Sequence, residues 1–137
     1  MKRRIASIFL AGAGMVFAYS AQSSVIISEI MHHPQSDSNA EQWFELYNTE
    51  DSSVDLSGWV VSEGCNFVFP AGTKIGARDN IVVAANTEIF SSLYPEANSV
   101  VGNWSGSIGT HIRLTDALGR TVDDVNFATD GDWAQRR

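Results

Sequence analysis

Two glutamates stand where carboxylate chemistry would need them: Glu29, within the β-branched run Val25 to Met31, and Glu45, within Trp43-Phe44-Glu45-Leu46-Tyr47-Asn48. Strand side chains alternate, which puts Glu29 on the face of Ile27 and Met31 and Glu45 on the face of Trp43 and Tyr47. If the two strands are neighbours, the carboxylates lie close together. Such a pair can serve as acid and base on a glycosidic bond or hold a divalent ion. The competing reading is structural: a partly buried charge is ordinarily satisfied by backbone or arginine hydrogen bonds, and here it would fix strand register. The structural reading is preferred for Glu29 and Glu45, and no catalytic residue is assigned.

The other polar clusters fall short of a reactive site. Asp37-Ser38-Asn39-Ala40-Glu41 places oxygens at alternate positions as a calcium loop begins. Gln42 then stands where an EF-hand needs glycine, and Asn48 where it needs a bidentate glutamate. A plain polar loop is expected there, with a weak loop-held calcium as the alternative. His32 and His33 would point in opposite directions on a strand, and His111 has no sequence neighbour to share a zinc ion, which needs three converging ligands. The segment Gly102-Asn103-Trp104-Ser105-Gly106 does not fit a nucleophile elbow. Neither a resident metal nor a cofactor is expected. Trp43, Tyr47, Trp59 and Trp104 could instead form a platform for sugar or peptide stacking, with core packing as the alternative. Of these, Trp43, Tyr47 and Trp104 are the binding candidates, and Trp104, in the Gly- and Ser-rich loop, is the foremost.

These residues have to be positioned by short strands, because no helical apolar period runs for long. The pattern predicts strands at Val25 to Met31, Trp43 to Tyr47, Val54 to Val61, Asn66 to Phe69, Asn80 to Ala85, Thr110 to Asp116 and Thr121 to Phe127. Asn48 would manage a turn, Gly58 would relieve crowding, and Trp59 would seal a face. The consecutive acids Asp123-Asp124 call for a β-bulge that puts Val122 and Val125 on one face. One short helix, Thr87 to Tyr94, is predicted behind an Asn86 cap and before Pro95. About eight strands and one helix describe an all-β, antiparallel sandwich.

Bulk properties narrow the function classes. Lys2, Arg3 and Arg4 precede an apolar run and small residues, as in a secretory signal peptide over residues 1–21, and the run is short for a membrane span. An uncleaved anchor is the alternative. Cleavage would leave six basic against sixteen acidic residues, a net charge of −10. That charge disfavours nucleic acid and anionic membranes as partners. The lone Cys65 allows no internal disulfide, so stability must come from packing, and a small buried side chain is its expected role.

The stretches "VIISEIMHHP", "EQWFELYNTEDSSVDLSGWVVSEG", "FVFPAGTKIGARDNIVVA" and "IRLTDALGRTVDDVNF", in this order, resemble the lamin tail domain, of the type found in secreted bacterial proteins. The resemblance covers most of residues 25–133. It implies an immunoglobulin-like sandwich with a binding or tethering role rather than chemistry of its own. No coiled-coil heptads precede the domain to support filament assembly. The family pattern usually continues past Trp133, so residues 134–137 read as a truncated or frayed end. The expectation is a secreted, periplasmic or cell-surface module that recognises a protein or cell-envelope component. Two alternatives stand beside it: the front part of a larger secreted enzyme, and an assembly subunit that accepts a strand at a sheet edge.

Overall fold

The computed structural model describes residues 24–127 and the backbone of residues 135–136. The expected signal peptide, Trp133 and Arg137 lie outside the described residues. Along the chain run β1 (Val25–Met31), β2 (Trp43–Asn48), β3 (Val54–Asp55), β4 (Val60–Glu63), β5 (Phe67–Val68), β6 (Lys74–Ile75), β7 (Asn80–Ala84), α1 (Thr87–Leu93), β8 (Val100–Gly102), β9 (His111–Thr115), β10 (Thr121–Asn126) and β11 (Gln135–Arg136). One sheet has the order β1-β2-β7-β8 and the facing sheet β11-β10-β9-β4-β5, while β3 and β6 form a separate ribbon.

Period-2 apolar patterning explains the sandwich. Phe44 and Leu46 of β2, Val83 of β7, Val61 of β4, and Ile112 and Leu114 of β9 are completely buried between the sheets. Each such side chain contributes roughly 1.5 to 3 kcal/mol by leaving water. A second, smaller cluster of Trp43, Val82, Ala84 and Phe90 lies on the opposite face of the first sheet, under α1. The helix starts where Asn86 accepts the backbone N–H of Ile89 at 3.0 Å, the first-turn capping expected of asparagine. Phe90 is buried, but Leu93 is half-exposed, so the apolar side chains of the helix reach the sheet only in part.

Residues 54–61 are not one strand. The Trp59 N–H donates to the Leu56 carbonyl at 3.0 Å, closing a turn in which Gly58 takes φ +74°. Before the turn β3 pairs with β6, and after it β4 joins the second sheet. Gly58 therefore supplies a left-handed backbone and does not relieve crowding: a Cβ there would meet only the Ala117 methyl, at 3.6 Å. Alternation misleads here because Leu56 and Trp59 pack against the same core from either side of the turn.

Two further differences matter for the site. The bulge in β10 falls between Thr121 and Asp123, so Asp123 is buried while Val122 is only partly so. Its carboxylate accepts the Ile27 N–H at 2.7 Å, tying the second sheet to edge strand β1. Strand β8 runs parallel to β7 and is short enough that the sequence pattern did not mark it.

Candidate functional site

The register of β1 and β2 places Glu29 directly opposite Glu45. It does so through a bulge between Ile27 and Glu29, which turns Glu29 away from the face of buried Ile27 and leaves it exposed. The Glu45 carboxylate accepts the Ser28 hydroxyl at 2.7 Å. Among the described residues, no hydrogen bond or ion pair engages the Glu29 carboxylate. Like charges opposed across strands are mildly destabilising, and the pair lies on an open sheet face rather than in a cleft. Nothing in this geometry positions a substrate or a water between them.

The aromatic candidates do not form one platform. Trp43 is 8 % exposed, covered by Phe90 at a ring distance of 5.7 Å and Tyr94 at 5.9 Å, both edge-on. Trp43 is thus core rather than a stacking surface, because α1 lies over that face of β2. Trp104 packs on the other side of the sheet, 5.9 Å from Phe44, and its buried indole N–H has no partner among the described residues. Its truncation would remove core packing as well as any contact with a ligand. Tyr47 and Trp59 are half-buried, Trp59 against the main core.

Asn48, at the end of β2, is fully buried. Its amide donates to the Ser52 carbonyl at 2.8 Å and the Gly76 carbonyl at 2.9 Å. Its carbonyl accepts the Glu50 N–H at 3.0 Å. One side chain thereby fixes two loops at one end of the sandwich.

At the opposite end, Gln42 does the corresponding work. Its side chain donates to the His32 carbonyl at 2.7 Å and accepts the Ile108 N–H at 2.9 Å. This joins the loop between β1 and β2 to the loop between β8 and β9. Between them opens a groove of about 390 Å³ lined by His32, His33, Asp37, Asn39, Ser107 and Thr110. A smaller hollow of about 170 Å³ adjoins it across Asn39, with Trp104 in its wall. Imidazole Nε2 of His33 sits 3.6 Å from the Asp37 carboxylate, both side chains largely exposed. Ser38 caps a short 3-10 turn over Asn39–Glu41. Among the described residues, no group of three or more His, Cys, Asp or Glu converges on a metal-sized space. The groove was not legible as a site because its walls are separated by 66 positions between Gln42 and Ile108. The one signal was a glutamine between strands that needed a partner if buried.

A third polar cluster lies on the outer face of the second sheet. Asp124 receives His111 Nε2 on one oxygen and the Arg113 Nε–H on the other at 3.1 Å, while His111 Nδ1 lies 3.8 Å from Glu63. Burial pushes the Asp124 carboxyl up, but the bonds from His111 and Arg113 outweigh it and hold it below the usual range. A carboxylate depressed by folding stabilises above its unfolded pKa, and that contribution is lost as pH falls through the lowered folded value. Asp124→Asn is therefore expected to be less stable than wild type at neutral pH, and the gap to close in acid below the ordinary carboxylate range. Urea melts across that window check this, and a gap unchanged with pH would contradict it.

Cys65 is buried, and desolvation pushes its thiol up to about 12. A protonated, enclosed thiol is a poor nucleophile. The folded domain is expected to resist a thiol-labelling reagent that modifies it fully in denaturant; rapid labelling under native conditions would contradict the burial.

Two facing sheets with mainly antiparallel pairing, one short helix, and loops gathered into a groove at one end define an immunoglobulin-like β-sandwich module. The lamin tail domain family model matches residues 18–129, and the chain belongs to that family. No curated protein matches it. No helix among the described residues is long and apolar enough to cross a membrane.

Proposed function

We propose that the domain is a secreted, non-catalytic binding or tethering module, accessory to a larger protein, which recognises a protein or cell-envelope component through the groove beside Gln42. The observation that carries this reading is the buried Gln42 amide, engaged at both ends in joining the two loops at a fixed spacing. A recess built before the ligand arrives avoids the ordering cost that weakens flexible sites. The basic-then-apolar start of the chain supports export, and its excess of acidic residues argues against nucleic acid as the ligand.

Filling the recess from its rim tests the reading. Thr110 is exposed and lines the groove, so Thr110→Trp should leave the melting temperature unchanged. Retention of an envelope component from solubilised cell-envelope extract should fall at least about tenfold, the equivalent of 1.4 kcal/mol. Equal retention by wild type and variant would overturn the assignment to this groove.

The edge-strand reading has its own observation. β5 is a two-residue edge strand whose Val68 side chain is 60 % exposed, and exposed edges can accept another chain. Assembly through that edge predicts a molecular mass that rises with concentration and returns to monomer in Val68→Lys.

A further inference from the structure

Resting on the groove reading above, we infer that the ligand the groove takes is a neutral carbohydrate, with Asn39, Thr110 and the two histidines as its hydrogen-bonding rim. The lining chemistry decides among ligand classes. Among the described residues no lysine or arginine lines the groove, so it offers no permanent cation to hold a phosphate or carboxylate group. Among the described residues a single carboxylate, Asp37, lines it, too few for a hard divalent cation, which takes six or more oxygens. Among the described residues the walls hold no Leu, Ile, Val or Met side chain to anchor a peptide, Pro34 being the one apolar side chain there.

What remains is a mixture of neutral donors and acceptors. Imidazoles, an amide and hydroxyls both give and accept hydrogen bonds, matching a ligand whose hydroxyl groups do the same. Ser107 is held in place, accepting the Gly109 N–H at 3.3 Å. Among the described residues, the Asn39 amide and the Thr110 hydroxyl make no protein hydrogen bond and are exposed. They are therefore available to a ligand without breaking the scaffold. The volume of about 390 Å³ lies within the usual span of ligand clefts, about 300 to 1,000 Å³. The ring of His32 packs against Phe127 at a ring distance of 5.0 Å, tilted by 55°.

The experiment is an amide-shift titration of the intact domain with three neutral probes, cellotetraose, maltotetraose and tetra-N-acetylchitotetraose, and with gluconate as an anionic control. Expected are saturable shifts with at least one neutral probe, confined to residues 32–42 and 104–110. The control should give none. Asn39→Ala combined with Thr110→Val should weaken the affinity at least about tenfold with melting unchanged. Shifts with gluconate alone, or neutral-probe shifts that the double variant does not weaken, overturn the inference. No shift with any neutral probe, while Thr110→Trp still abolishes capture from envelope extract, overturns the carbohydrate inference and leaves the groove reading standing. If Thr110→Trp does not affect capture, the groove reading itself falls.

Discussion

Gly102→Ala is expected to be the most damaging single-methyl change in the domain, costing about 3 kcal/mol or more. Gly102 ends β8 opposite Ala84 of β7, with φ at +151°. A Cβ built there would lie 1.9 Å from the Ala84 carbonyl oxygen and 2.8 Å from its nitrogen. Both are backbone atoms in a strand buried on both faces, so nothing flexible can yield. Relief would require β8 to leave β7. The next residue shares the consequence: Asn103 donates its N–H to the same Ala84 carbonyl at 2.8 Å, and its side chain accepts the Thr87 N–H at 2.9 Å at the start of α1. The alanine variant should therefore lose helix packing over Trp43 along with the parallel edge. Thermal melting combined with near-ultraviolet circular dichroism of the tryptophans checks this. A melting temperature within a degree or two of wild type would refute the close approach.

Asn48→Asp should cost about 3 kcal/mol with almost no change in side-chain volume, which for a domain of this size lowers the melting temperature by about 10 °C or more. The loss would be chemical rather than steric. The native amide donates to the Ser52 and Gly76 carbonyls; a carboxylate has no proton to offer and would face those oxygens with a negative charge. In acid the neutral carboxyl group regains one donor, so the deficit should shrink as pH is lowered. A deficit that is constant or grows in acid would show that Asn48 acts through packing alone. Asn48→Ala separates the terms further, because it removes the donors without adding charge and should cost less than the aspartate at neutral pH.

Much of the frame was legible because its physics is local. β-branched and aromatic alternation marked β1, β2, β7, β9 and β10. The Asn86 cap and Pro95 bracketed α1, and the ordered motifs around Leu56-Ser57-Gly58-Trp59 marked the family. What escaped depended on tertiary contacts. Alternation cannot register that Ser28 bulges and reverses Glu29, or that a turn interrupts residues 54–61 while keeping both flanks in the same core. Trp43 looked available only because the helix that covers it is separated from it in the chain by five further strands, β3 to β7. β8 escaped because three residues carry too little pattern, and its marker was a glycine whose purpose is set by Ala84. The groove escaped for a related reason: loop residues from distant parts of the chain become a site only when Gln42 joins them.

The same contrast explains why the conspicuous charges are not the site. Glu29 and Glu45 attract attention as a pair, yet they face each other on an exposed sheet surface. Asp124 gathers His111, Arg113 and Glu63 into a network that links three strands of the second sheet. The polar groups that line the groove are less conspicuous in sequence: an asparagine, a glutamine, a serine, a threonine and two histidines, with Asp37 as the one carboxylate among the described residues. Rigid sheets that hold variable loops at one end are a common way for a sandwich to recognise a partner.

The most direct test of the account is backbone-amide hydrogen exchange of the intact domain, with and without saturating solubilised cell-envelope extract. New protection is expected at residues 32–42 and 104–110, with the faces around Glu29 and Glu45 and around Asp124 unchanged. Protection confined to those sheet faces or to the β5 edge, with the groove loops exchanging as in the free domain, would contradict it.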